Sequence, residues 1–365
     1  MDIVRQKSYN KFTYYVLAVL LLFVLVIKLV SLQPGWIERY YSTGIYLSLA
    51  QFFRIIFGWL PFSIGDILYT IAGFYLLFRV IINVRALILK RITRLLFIKS
   101  AVRTLLIATL VYICFNLFWG LNYNRLGIAY QLDLTPAEHT KADLKKITAL
   151  LIQRVNDSRK KLDTSIKYPS FREIFKKSHI AYQFAEKRFP FLHYGNGSIK
   201  RSLYGRGGNY LGFFGYYNPF TGESQLNLTQ PRFLLPYVTC HEMAHQLGYA
   251  SESEANFVGY LSAISSPDVL FHYSVYFELF NYANQELYLR DSVTARANYK
   301  LLDTLVKVDF RALKAFHKKY KNPFAPIIQS FYDQYLKVNQ QDKGIESYNY
   351  VVGLLIAFQK KFGYI

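Results

Sequence analysis

Three long apolar runs near the N-terminus constrain this chain more than any other feature. They extend from Tyr14 to Leu32, broken only by Lys28, from Ile67 to Val84, broken only by Arg79, and from Thr104 to Leu121 without a charge. A bilayer core takes about 20 residues of helix, so the sequence predicts three membrane spans over 14–32, 67–84 and 104–121. Lys28 and Arg79 fall near the ends of their runs, where a long stem can stay in hydrocarbon while the charge reaches the headgroups. The first run is longer than a signal-peptide core, and "VSLQPGWIERYY" after it offers no small-x-small cleavage site, so it reads as an uncleaved anchor. A fourth apolar stretch, Ile45 to Phe62, carries Arg54 at its middle and Pro61 near its end. An amphipathic helix lying at the interface over about 45–60 is expected there.

Basic residues set the expected topology. Arg5, Lys7 and Lys11 precede the first run, and Arg85, Lys90, Arg91, Arg94, Lys99 and Arg103 separate the second from the third, whereas the segment between holds only Arg39 and Arg54. By the positive-inside rule the two basic segments are cytoplasmic, and three spans then put residues 122–365 on the outer side. The chain thus divides into a transmembrane region, 1–121, and an extracytoplasmic domain, 122–365. The net charge of +21 persists into the outer domain. There it points to anionic lipid or an acidic envelope polymer and not to nucleic acid, for which no motif is present. Cys114 and Cys240 lie too far apart in role to form a disulfide framework, and Cys240 is expected to be buried.

The outer domain reads as helices, then a small sheet, then helices again, an α+β order. "TPAEHTKADLKKITALLIQRVNDSRKKL" predicts a helix capped by Thr135, with Pro136 in its first turn and Glu138 closing a capping box. From Leu192 to Asn227 the texture turns to Gly, Tyr and Phe with turn dipeptides, predicting two or three short strands in a small antiparallel sheet. Helical patterning returns after Pro231. The aromatic block from Tyr204 to Phe220 reads as sheet core and turn, and His139, His179, His193, His272 and His317 stand alone as structural or surface residues.

"TCHEMAHQLGYASESEANF", Thr239 to Phe257, carries the chemistry. His241 and His245 are one helical turn apart and share a face, so both imidazoles reach one ion, and Zn2+ suits such a site. Glu242, on the adjacent side of the same helix, can act as general base. Gly248 marks the end of the helix, since only a left-handed residue lets the chain reverse there. The reversal brings two carboxylates within reach, Glu252 and Glu254. If a second helix starts near Ser251, Glu254 falls on the inward face shared with Val258 and Leu261, which favours it as third ligand, although Ser251 and Glu254 also fit a capping box.

"HEMAHQLGYASESEANF" resembles the active-site segment of gluzincin-type metallopeptidases, and its "EAN" element is similar to that of the minimal gluzincins. "PFSIGD" at Pro61–Asp66, "YYNPFTGE" at Tyr216–Glu223, "HEMAHQLG" and the closing "SYNYVVGLL" resemble an uncharacterised bacterial membrane-protein family known as a domain of unknown function. The gluzincin resemblance implies a zincin-like fold, a zinc ion held by His241, His245 and Glu254, and a strand within "GGNYLGFFGYYNPFTGESQLN" that takes an extended peptide by strand addition. The bacterial resemblance implies a cytoplasmic (inner) membrane with the domain in the periplasm. The expected activity is hydrolysis of envelope proteins or peptides by a membrane-anchored zinc metallopeptidase. The alternative is a non-catalytic envelope protein that keeps a structural zinc or a vestigial, empty site and works by binding partners; a purely structural site would have no use for Glu242. No transition-state stabiliser stands out among 32 tyrosines. The flanks of the motif are too polar for an intramembrane protease.

Overall fold

A computed structural model describes residues 11–136, 138–162, 168–338 and 348–365. Arg5 and Lys7 of the expected basic N-terminus lie outside the described residues. The chain is mostly helical, with one small sheet. It opens with α1 (Lys11–Ser31) and the single turn α2 (Pro34–Trp36). A π-helical stretch, Ile37–Ile45, then runs into α3 (Tyr46–Gly58), followed by α4 (Ile64–Ile88) and α5 (Arg94–Phe118). The helices α1, α4 and α5 are long and apolar enough to cross a membrane.

The third apolar helix begins ten residues earlier than the sequence indicates. Thr93 caps it, its Oγ1 accepting from Leu96 N at 3.2 Å, so Arg94, Lys99 and Arg103 belong to its first turns and not to a loop. Helix α3 forms where an interfacial helix is expected, but Arg54 faces inward. It is buried, with its guanidinium 4.9 Å from the centre of the Tyr194 ring. Phe52, Ile55, Ile56 and Trp59 on the other side of α3 are exposed.

The short helix α6 (Gly127–Gln131) leads into α7 (Lys141–Lys161) and α8 (Phe171–Glu186). The cap expected at Thr135 is displaced: Thr140 caps α7 and Asp143 completes the capping box, leaving Thr135, Pro136 and Glu138 outside the helix. The same S/T-x-x-acid pattern occurs twice within a few residues, and the helix takes the second, which directly precedes the apolar repeat Leu144, Ile147, Leu151.

Three strands follow within the predicted block, β1 (Ile199–Arg201), β2 (Gly215–Asn218) and β3 (Glu223–Leu226), with α9 (Gly205–Leu211) between the first two. The sheet order is β1-β3-β2. It is mixed rather than antiparallel: β2 and β3 form a hairpin with Tyr217 opposite Ser224, while β1 runs parallel to β3 with Lys200 opposite Gln225. The excursion through α9 supplies the crossover that a parallel neighbour needs.

The remaining helices are α10 (Leu235–Gln246), α11 (Glu252–Ser265), α12 (Val269–Arg290), α13 (Ser292–Lys300), α14 (Thr304–Tyr320), α15 (Ala325–Val338) and α16 (Tyr348–Phe362). The main core lies among α7, α8, α10, α11, α12 and α16, where Leu144, Tyr182, Met243, Phe257, Phe277 and Phe358 are buried together. A second cluster joins Ile27 of α1 and Ile113 of α5 to Tyr41, Tyr46 and Trp119, and reaches Ala250 just past α10. The apolar helices α1 and α5 therefore meet the rest of the chain at the end of α10.

Candidate metal centre

Helix α10 is buried along nearly its whole length. Ser224 of β3 donates to the carbonyl of Glu242 at 2.8 Å. The Gln246 amide donates to Ser198 O at 2.9 Å and to Gly222 O at 2.8 Å, tying the helix to the residues just before the parallel strands β1 and β3, at one end of the sheet. The carbonyls at its C-terminus, which have no partner within the helix, are met from the membrane-proximal segments. Trp119, the residue after α5, donates its indole N–H to His245 O at 3.1 Å, and Tyr46 OH reaches His245 O and Gln246 O at 3.3 and 3.2 Å.

As the sequence predicts, the helix stops at Gly248. Its φ of +84° is left-handed, and a Cβ there would stand 2.8 Å from the Tyr46 ring. The chain reverses and α11 starts at Glu252. That residue's carboxylate lies 3.3 Å from His241 Nε2 and 3.8 Å from His245 Nε2. One ligand atom from each of His241, His245 and Glu252 falls within 4.8 Å of the others.

Glu254 is not in this cluster. Two residues along a helix is a rotation of about 200°, so Glu254 points to the far side of α11 from Glu252. Its Oε1 accepts from Ile128 N at 2.9 Å, beside Arg125. It caps nothing on its own helix, and Ser251, expected to share a capping box with it, pairs with Ser253 Oγ instead. The inference that Glu254 faces inward was sound, but what lies inward is an arginine. Arg125 donates to both oxygens of Glu38 at 2.9 and 2.7 Å and to Gly248 O at 3.2 Å. Glu254 thus helps hold the reversal turn and does not face the histidines.

The orientation of the His245 ring is fixed by its backbone contact. His245 Nδ1 is 2.8 Å from Tyr249 O, which can only accept, so Nδ1 carries the proton and Nε2 presents a lone pair toward Glu252. Burial and the charge of His241 lower the His245 pKa to about 4, keeping it neutral. Burial alone would lower His241 too, but hydrogen bonding to Glu252 and the charges of Glu252 and Glu242 raise it above the usual histidine value, with Asn256 adding to this. The carboxylates draw positive charge to the point where a cation would sit. Glu242 stays out of the ligand set. Its Oε2 is buried without a hydrogen-bond partner, and burial, reinforced by Glu252 and opposed by His241, pushes its pKa up to about 8.

Gly215 opens β2 directly alongside this carboxyl, and a Cβ there would come within 2.7 Å of Glu242 Cδ. On the next turn of the strand Tyr217 lies 5.2 Å from Trp119, whose ring is 6.0 Å from that of His245.

The family described as "Protein of unknown function (DUF3810)" has a model that matches residues 41–356. The chain belongs to that family. The match takes in the second core cluster from Tyr41 onward, the sheet, α10 and α11, so the whole metal cluster of this DUF3810 chain lies inside it. No curated protein and no solved structure matches.

Sequence reasoning found His241, Glu242, His245 and Gly248 in this DUF3810 chain and offered both Glu252 and Glu254 as the third carboxylate, but preferred Glu254, whereas Glu252 is the one beside the histidines. It also missed Trp119, Tyr46, Gly215 and Asn256. Trp119 and Tyr46 carry no local signal, because the bonds they make to α10 join positions more than a hundred residues apart. Gly215 had a faint signal, a glycine set between aromatic pairs in "FFGYY".

Proposed function

We propose that this chain is a membrane-anchored, zinc-dependent metallopeptidase that hydrolyses peptide bonds of envelope proteins or peptides. On this reading α1, α4 and α5 are spans, and residues 122–365 form a zincin-like domain on the outer face. The observation that carries it is the convergence of His241, His245 and Glu252 with the unpaired carboxyl of Glu242 beside them. Two neutral imidazoles and one carboxylate suit zinc with a position left for substrate. When bound, zinc would supply Lewis acidity toward a substrate carbonyl. Glu242 would take a proton from the attacking water and deliver it to the leaving amine, a role for which a pKa near neutrality is well matched. The β2 edge, paired with β3 on one side, would offer its other side to an extended substrate. Gly215 keeps that edge close to Glu242.

Metal analysis of the purified full chain, run beside a peptide-hydrolysis assay of wild type and Glu242→Gln, tests this. The variant should keep its zinc and lose hydrolysis by about 10²- to 10⁴-fold. Undiminished hydrolysis in Glu242→Gln would remove this residue from the chemistry. Bound zinc without hydrolysis in the wild type would favour a structural metal in a non-catalytic protein.

A further inference from the structure

A group of large apolar side chains in the part of the chain beyond α5 is left exposed. Leu203 is 62% exposed, Phe324 65% and Phe331 70%, and Tyr210, Leu211 and Ile327 are exposed with them. The three from α15 and its approach, Phe324, Ile327 and Phe331, recur at three- and four-residue spacing and so share one helix face. Helix α9 and the start of α15 are joined: Tyr210 packs edge-on against Tyr320 at 5.2 Å, and the Asn322 amide donates to Tyr210 O at 2.8 Å. Apolar groups contiguous to this extent on a soluble surface mark an interaction site.

The neighbours of Leu203 indicate what covers it. Leu203 N donates to Asp66 Oδ2 at 2.7 Å, and Tyr204 OH donates to Asp66 O at 2.7 Å and meets Thr70 Oγ1 at 2.5 Å. Asp66 and Thr70 belong to the first two turns of α4, and Thr70 lies roughly 9 Å along that helix at 1.5 Å per residue. On the same turns Ile67 and Leu68 are already exposed, so Leu203 stands at the level where the apolar surface of α4 begins. The charges around the group are mostly positive: Arg206, Lys318, Lys319 and Lys321 are all exposed, against the partly exposed Asp333 of α15. Aromatic and aliphatic side chains with a basic collar, held at the entry of an apolar helix, fit the headgroup layer of an anionic bilayer.

We infer that α9 and the α14–α15 junction dock on the surface of the bilayer that holds α4, an inference that rests on the reading of α4 as a span. The docked segment runs directly into the metal centre. After Leu211 come Phe214, stacked on His317 at 6.2 Å, and Gly215, beside Glu242. The site then opens at the lipid surface, and a polypeptide reaching it along β2 would emerge from the membrane or lie on it.

Depth measurement by spin labelling tests the docking. Leu211→Cys, Phe331→Cys, Leu76→Cys in the middle of α4 and Val293→Cys on α13 would be labelled singly. The background is Cys114→Ser with Cys240→Ala, in the full chain reconstituted into nanodiscs of phosphatidylcholine and phosphatidylglycerol. Labels at 211 and 331 should, like that at 76, be relaxed more by dissolved oxygen than by a water-soluble nickel chelate, with the order reversed at 293. If 76 reports lipid while 211 and 331 behave like 293, or are shielded from both agents as a protein partner would shield them, the docking is wrong. An aqueous label at 76 would instead overturn the span reading, and the docking with it.

Discussion

The two acidic residues after Gly248 make opposite predictions, and matched substitutions separate them. Glu252→Gln removes the carboxylate that lies 3.3 and 3.8 Å from the two Nε2 atoms, while Glu254→Gln keeps an oxygen to accept from Ile128 N. Structural zinc sites bind with about 10–16 kcal/mol, on the order of 3 kcal/mol for each of four ligands. At 1.4 kcal/mol per tenfold, loss of Glu252 should weaken zinc binding by about a hundredfold or more. Glu254→Gln should change it by less than about tenfold, below the roughly 10–100-fold cost of a partner that bonds a ligand directly, because Glu254 bonds Ile128 N and not the histidines. Competition against a chromophoric chelator reads the affinity directly. Thermal unfolding gives an independent check, because a hundredfold weaker site forfeits about 2.7 kcal/mol of ligand stabilisation at the same free zinc. If Glu254→Gln loses the metal and Glu252→Gln retains it, the geometric argument is refuted.

Two further outcomes follow from individual side chains. Gly215→Ala puts a methyl against the Glu242 carboxyl, so hydrolysis should fall at least tenfold with zinc content unchanged and with about 1–3 kcal/mol lost to overpacking; an alanine variant of wild-type activity would show that β2 does not confine the base. Glu278, buried in α12, has its pKa raised by burial to about 7 from 4.5, so the folded state holds this proton more tightly than the unfolded chain. Its contribution is complete below pH 4.5 and is lost as pH rises through 7, a change of about 3 kcal/mol. Glu278→Gln should therefore raise the melting temperature at pH 8 and leave it little changed at pH 4, and equal shifts at both would contradict the assignment.

Signals of fixed local period were readable from the residues alone. The apolar runs, the one-turn spacing of His241 and His245 and the left-handed Gly248 each depend on chemistry within a few neighbours. Glu254 shows where such reasoning stops. Its inward face was correctly read from Val258 and Leu261, but which buried group awaited it depended on Arg125, more than a hundred residues away, and on Glu38 beyond the apolar helices. Strand β2 was similarly visible as a turn-bounded aromatic run, whereas β3, "ESQL", is marked only by the turn before it. The parallel placing of β1 was not, because it depends on "GRGGNYL" folding as a helix that carries the chain across, against a composition rich in glycine.

The same long-range contacts bear on whether residues 122–365 can fold alone. A fragment of residues 122–365 would lose Glu38, which accepts two of the bonds that Arg125 donates, and Arg125 is a buried cation. It would also lose the backbone N–H groups of Ile64 and Gly65 that meet Glu223 at 3.2 and 2.6 Å, in a site with no exposure to water. Removing one partner from a buried charged pair costs about 3–5 kcal/mol. That loss at Arg125, with about 1–3 kcal/mol for the hydrogen bonds taken from buried Glu223 and the caps that Trp119 and Tyr46 place on α10, compares with a total stability of about 5–15 kcal/mol for an ordinary domain. The fragment should therefore lack a cooperative thermal transition and be degraded quickly by a soluble protease under conditions in which the full chain in detergent resists. A fragment that unfolds cooperatively and binds zinc as tightly as the full chain would show that the membrane-proximal segments are dispensable to the metal centre.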